Sequence, residues 1–289
     1  MPTSSEPPKK EQPSTYFVQD RQNKLELARL TVQDRMVTAL MGGVLPEQTD
    51  VSRFQRVLDV GSGSGSWAIE AAQAYPEMTL IGIDISQRMV QYAREQAILQ
   101  QVDGRVEFHT MDALRKLEFP NEYFDLVNLR FGVSFMRTWD WYNLLKEMVR
   151  VARSGGVIRL TDNEIVHESN SPALTRFFEI IRHALFQAGH LFEEENTGLT
   201  AHLADMLVRH GCRQVQTKRV ALEFRGGTAD AEAYYEDAAH VGQTLRPFIQ
   251  KWGGLPDDYD AVYQQALADI RRSDFHNTWY FLTAWGISP

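Results

Sequence analysis

One cysteine, Cys212, stands in 289 residues. A single thiol builds neither a disulfide framework nor a cysteine-rich zinc site, so a reducing compartment is expected. No apolar run approaches the roughly 20 residues of a membrane span. Positive charge is in deficit: 30 Lys and Arg stand against 38 Asp and Glu, a net charge of −8. A phosphate backbone or an anionic bilayer would be repelled over most of such a surface, so neither nucleic acid nor membrane is expected as a partner. The opening MPTSSEPPKKEQPST has no apolar stretch of the secretion-signal kind, and a cytoplasmic protein is expected. No H-E-x-x-H pattern occurs, and His202 and His210 stand apart with no third ligand in register. No metal site is therefore expected.

What is present has the texture of a globular protein, with 43% hydrophobic residues, enough to exclude wholesale disorder. Residues 1–14 are rich in Pro, Ser, Lys and Glu and read as a disordered tail. From Tyr16 to Met41 apolar residues recur at helical spacing until Gly42-Gly43. Short apolar runs then alternate with helical segments: QRVLDVG, MTLIGID, RVEFHTMD, FDLVNLRF and GGVIRLTD. Such alternation implies a parallel sheet with helices on both faces, and continuous apolar runs fit strands buried on both sides. After Asp162 come helices opened by Ser171-Pro172 and capped near Gly211, then the alternating strand VALEF. Further helices cover about residues 231–249 and 259–270, before the closing run TWYFLTAWGIS.

The segment Val57-Leu58-Asp59-Val60 leads into Gly61-Ser62-Gly63-Ser64-Gly65. A glycine-rich turn lets backbone N–H groups approach a ligand closely. Dinucleotide sites use G-x-G-x-x-G, but here Ser66 stands where the last glycine would fall, and Asp59 precedes the turn. A turn carrying a carboxylate suits a ligand with an amino group and a cationic centre better than a pyrophosphate. Asp84 ends the second apolar run, where a carboxylate can accept from both ribose hydroxyls. Met111-Asp112-Ala113, after the third, offers apolar contact and an acceptor to an adenine.

Together these segments resemble the class I S-adenosylmethionine-dependent methyltransferases, over about residues 57–162. VLDVGSGSG, LIGIDIS, MDAL, FDLVNLRF and SGGVIRLTD stand in that family's order and spacing. The resemblance implies an α/β fold: a doubly wound, mostly parallel, seven-stranded Rossmann-like sheet. N-terminal helices would precede it, helical insertions would follow the fifth and sixth strands, and TWYFLTAWGIS would be the antiparallel last strand. It implies S-adenosylmethionine as cofactor, with S-adenosylhomocysteine as product. Asp59, Gly61, Ser62 and Gly63 would hold the methionine part, Asp84 and Ile85 the ribose, and Met111, Asp112 and Ala113 the adenine. Asn128 and Leu129 would make contact through their backbone, with Arg130 beside them.

The stretch Tyr16-Phe17-Val18-Gln19-Asp20-Arg21, followed by Glu26-Leu27 and Arg29-Leu30, is similar to the start of microbial small-molecule methyltransferases. Geranyl and farnesyl diphosphate and prenyl-indole C-methylating enzymes are among the comparisons it suggests. In that group the helix is a lid, with Tyr16 and Gln33 as the closing candidates here. The division expected is a tail at residues 1–14, a helical lid at 15–50 and a methyltransferase domain at 51–289. Substrate-binding insertions would lie at about 165–210 and 226–274. The reading allows for a homo-oligomer.

Asp162, Glu164, His167 and Glu168 follow the fifth strand, at the edge where such sheets bind substrates. Methyl transfer needs a base only if the acceptor is a hydroxyl or an ammonium; Glu164 and His167 are the candidates. The expected substrate is a small, largely apolar specialised metabolite, methylated on oxygen, nitrogen or carbon. A protein that holds the cofactor without transferring methyl, cyclase-like or regulatory, is the alternative. Tyr16, Phe17, Phe177, Phe178, Tyr234, Tyr235, Phe248, Trp252, Tyr259 and Tyr263 concentrate in the lid and insertions around the acceptor; Phe177, Phe178, Tyr234, Tyr235 and Phe248 are each expected in the core more often than in the pocket, with some of them facing the acceptor.

Overall fold

A computed structural model describes Tyr16 and residues 24–289. The expected tail at residues 1–14 and the motif residues 17–21 lie outside the described residues. Helix α1, Lys24–Leu40, stops at Gly42 and Gly43, whose φ angles of 91° and 115° suit glycine. The repeating unit follows: β1 (Arg56–Val60), α2 (Ser66–Ala74), β2 (Thr79–Asp84), α3 (Gln87–Leu99), β3 (Val106–Thr110), β4 (Phe124–Arg130), α4 (Trp141–Val151) and β5 (Ala152–Asn163).

β1 pairs with β2 and β4, β2 with β3, and β4 with β5, all in parallel. Every residue of β4 is buried, as its unbroken apolar run requires of a central strand. In α4, Trp141, Leu144, Leu145, Met148 and Val151 form one buried stripe at helical spacing.

β8 (His276–Ile287) runs antiparallel to β5, as expected for the closing aromatic segment. Its other edge carries β7 (Arg213–Arg225), also antiparallel. Among the described residues the sheet has eight strands rather than seven. The extra one is β6, Glu168–Ser169, a two-residue ladder that pairs with β8 beyond the point where β5 leaves it. So short a ladder has no periodicity to announce it.

Between β6 and β7 lie α5 (Pro172–Gln187) and α6 (Leu203–Arg209). Ser171 caps α5 by accepting from the Leu174 N–H, with Pro172 at the first turn. α6 packs on β7, β8 and α4. α6, the last part of the first expected insertion, therefore lies outside the cap over the sheet edge. Between β7 and β8 come α7 (Ala229–Thr244), α8 (Arg246–Trp252) and α9 (Tyr259–Ile270). The single helix expected over 231–249 breaks at Leu245, before Pro247, which cannot donate into a helix interior. α1 lies against α7, and α5 against α8 and α9, so α1, α5 and α7–α9 form a helical cap. Among the described residues no helix is long and apolar enough to cross a membrane.

Candidate active site

β1 delivers the chain into a turn in which Gly61, Gly63 and Gly65 all adopt positive φ. At Gly61 a Cβ would add a close contact to the strain, lying 2.8 Å from the Phe135 ring, which would have to shift. At Gly63 a Cβ would meet nothing within 4 Å, so the backbone borders open space. Ser62 Oγ is buried and has no hydrogen-bond partner among the described residues. Bare backbone, an open approach and an orphaned hydroxyl are what a turn built around a bound ligand leaves behind.

Three carboxylates surround this turn. Asp59 is 4% exposed, and Asn128 Nδ2 donates to its Oδ1 at 2.8 Å. Burial pushes its pKa up to about 7, against the opposing pull of Asn128 and Arg130. Behind it runs a buried polar chain. Arg159 Nη1 donates to Asn128 Oδ1 at 2.8 Å, and its Nε to Glu47 Oε1 at 2.7 Å. Burial raises the Glu47 carboxyl, but Arg159 outweighs it and holds it below the usual range. Asp84, at the end of β2, accepts from the Gly63 N–H on one oxygen (3.0 Å) and from the Ser86 N–H on the other (2.8 Å). Asp112 accepts from the Leu114 N–H and pairs with Arg115.

All three carboxylates line one cavity, together with Gly61, Ser62, Gly63, Ile85, Met111, Ala113, Arg130, Tyr16 and Gln33. Two residues do not reach it. Asn128 and Leu129 are fully buried: Asn128 turns to Asp59 and Arg159, and Leu129 to the core, so the β4 contribution to the lining begins at Arg130. Arg130 donates to Asp34 at 2.7 Å and to Thr38 at 2.9 Å, tying β4 to α1. Phe131 follows with φ 55°, unusual for a bulky residue, and also lines the cavity.

The far wall comes from the cap. Phe178, Ile181 and Leu185 of α5, Val241 of α7 and Leu245 make it apolar, with Ile165 and Trp279 from the sheet edge. Asp237 of α7 clasps α1. Arg29 Nη1 donates to it at 3.2 Å, and Gln33 Nε2 reaches both its oxygens at 3.2 Å. Arg29 also reaches Tyr16 Oη at 3.4 Å.

The polar residues at and after the end of β5 separate. His167 lines the cavity; Glu164 does not. Glu164 accepts from Arg219 and Asn196 away from it, so the structure corrects its expected place beside the acceptor. Asp162 is held by N–H groups of Val133 and Asn163, and burial pushes it up to about 7. Glu168 is exposed and accepts from Tyr280.

The ten aromatics of the lid and insertions divide between core and cavity. Phe17 lies outside the described residues, and of the other nine only Tyr16 and Phe178 line the cavity. Phe177, Phe248, Tyr259 and Tyr263 are buried between the cap helices. There the two phenols donate to backbone carbonyls of α7. The cap must bury a core of its own, and aromatics fill it. The other aromatics of the lining, Trp67, Phe131, Phe135 and Trp279, come from the sheet side, in segments whose apolar pattern reads simply as core.

A family model described as "Methyltransferase domain" matches residues 57–156. 27-O-demethylrifamycin SV methyltransferase of Amycolatopsis mediterranei is 28% identical over 257 residues, covering 88% of this chain and 78% of its own. Demethylmenaquinone methyltransferase of Deinococcus radiodurans is 37% identical over 37% of this chain, which spans only 43% of that enzyme. Among solved structures, geranyl diphosphate C-methyltransferase from Streptomyces coelicolor, in complex with Mg2+, geranyl diphosphate and S-adenosyl-L-homocysteine, aligns with a TM-score of 0.52. It covers 93% of this chain and 86% of its own at 12% identity, a likeness of fold. With the glycine turn, the strand-end carboxylates and the antiparallel last strand, these matches show a methyltransferase domain over residues 57–156, of the class I S-adenosylmethionine-dependent kind, with S-adenosylmethionine as its cofactor.

Proposed function

We propose that this methyltransferase acts on a small, largely apolar specialised metabolite held between the glycine turn and the cap. The observation that carries the reading is the cavity's two-sided lining: carboxylates and bare backbone on one side, aliphatic and aromatic side chains from α5, α7 and α1 on the other. S-adenosylmethionine, when bound, supplies an electrophilic methyl group on a sulfonium. Asp59 and the Gly61–Gly63 turn hold its methionine part, with Ser62 Oγ as a waiting hydrogen-bond partner. Asp84 and Ile85 receive the ribose, and Met111, Asp112 and Ala113 the adenine. α1, as part of a lid over residues 15–50, excludes water with Tyr16 and Gln33, while α5 and α7 orient the acceptor. The remainder, residues 51–289, is the catalytic domain.

The charge balance narrows the acceptor. Asp34, Asp59, Asp84, Asp112 and Asp237 line the cavity against Arg29 and Arg130, and both arginines are ion-paired to carboxylates among these five. A diphosphate would meet net negative charge. An uncharged or cationic acceptor fits better, in a cytoplasmic enzyme with no nucleic-acid or membrane partner.

Incubation with methyl-labelled cofactor and an extract of the source organism, read by mass spectrometry, tests the reading. A labelled apolar product is expected; label found only in nucleic acid or protein would overturn it. The site also makes a pH prediction. The cofactor's ammonium requires an ionised Asp59, which in the free protein has its pKa near 7. Lowering the pH through about 7 should therefore weaken cofactor affinity by up to about tenfold per unit, with a plateau above it. Calorimetry across about pH 5–8 checks this, and the slope should vanish in Asp59→Asn.

A further inference from the structure

His167 is 3% exposed and clamped on three sides. Phe178 stacks on one face with ring centroids 4.1 Å apart, and Trp279 stacks at 4.8 Å. At the ring's Nδ1 sit the Tyr234 hydroxyl at 2.6 Å and the Asn277 amide nitrogen at 3.3 Å. Phe178, Trp279 and His167 border the cavity; Tyr234 and Asn277 do not. The edge of the ring left to face the cavity is thus the one that carries Nε2. That atom is buried and has no hydrogen-bond partner among the described residues.

The proton can be placed. Tyr234 is 1% exposed, and burial lifts its hydroxyl well above the ordinary phenol range, so it keeps its proton. Asn277 donates an amide hydrogen toward the phenol oxygen, and Nδ1 has a single lone pair to offer. The phenol proton therefore goes to Nδ1, the acceptor 2.6 Å away. With its Nδ1 lone pair engaged and burial disfavouring the imidazolium, the neutral ring carries its hydrogen on Nε2. A buried N–H donor without a partner, at the edge of a binding cavity, is a group awaiting an acceptor.

We infer that His167 is a specificity-determining hydrogen-bond donor: its Nε2–H binds an oxygen acceptor, a carbonyl or an ether or hydroxyl oxygen, on the otherwise apolar methyl acceptor. This rests on the methyltransferase reading and deepens it by naming the polar feature of the substrate. It also removes His167 from the role of general base, because Nε2 already holds its proton and Nδ1 is spoken for.

The test needs no turnover, so it separates from the question of methyl transfer. Protein loaded with S-adenosylhomocysteine is titrated with 1-tetralone and with tetralin, the same bicyclic hydrocarbon without the carbonyl. His167→Phe keeps a ring between Phe178 and Trp279 but lacks the donor. It is expected to lose about tenfold in affinity for tetralone and none for tetralin. His167→Gln, which restores an N–H, is expected to recover much of the loss. Equal changes for both probes, or none, would overturn the inference. Nitrogen-15 correlation spectra of the free wild-type protein decide independently of probe binding and variant folding. A proton on Nε2 supports the inference, and a proton on Nδ1 ends it. If the tautomer and the probe selectivity hold while labelled cofactor yields no methylated product, the transfer reading fails and the donor assignment stands.

Discussion

Replacing Asp84 by alanine is expected to weaken S-adenosylmethionine binding by about 100-fold or more. The carboxylate does two jobs that the substitution removes together. Its oxygens accept the Gly63 and Ser86 N–H groups, fixing the turn to the end of β2. The same carboxylate lines the cavity at the strand end where a ribose would sit. Asp84→Asn separates the contributions. It keeps the shape and one acceptor oxygen, and should fall between wild type and alanine. Calorimetry on the folded variants is the measurement; an affinity for Asp84→Ala within about twofold of wild type would exclude the ribose assignment.

Asp237→Ala should lower the stability of the fold rather than only its affinity. The carboxylate and Arg29 are both buried, with side-chain exposures of 6% and 2%, and they join α7 to α1 over the cavity. Without Asp237 the guanidinium stays buried in the absence of that countercharge, a change that typically costs about 3–5 kcal/mol. A fall in melting temperature on the order of 10 °C follows. The paired replacement Arg29→Met with Asp237→Leu should recover most of it, because apolar side chains of similar volume can replace a buried ion pair without loss. A melting temperature for Asp237→Ala within about 1 °C of wild type would show that the clasp carries no energy.

The two predictions draw on different kinds of information. Asp84 was legible in the sequence because everything that defines it is local. An apolar run ends on a carboxylate at a set distance from a glycine turn, and a parallel sheet brings neighbouring strand ends to one edge. Asp59 and Asp112 were legible for the same reason. Asp237 was not. It is one acidic residue on an amphipathic helix, and its partners Arg29 and Gln33 lie 208 and 204 residues away. The Glu47–Arg159–Asn128 chain behind Asp59 is hidden in the same way: Arg159 is the charged interruption of the apolar run VIRLTD, and Glu47 lies 112 residues from it in a loop.

The sequence by itself determined the glycine-turn side of the cavity: the βα order, the glycine turn and the acidic strand ends. Those features depend on φ preferences, hydrophobic period and short spacings, all of which act within a few residues. Only the tertiary structure decided the cap side of the cavity. It sent most of the insertion aromatics into the cap's own core and turned Glu164 away to Arg219. It also held His167 between two rings with one nitrogen unpartnered among the described residues. Which face of a helix meets a cavity, and which buried polar atom is left without a partner, depend on what packs behind it, and that is set by elements distant in the chain.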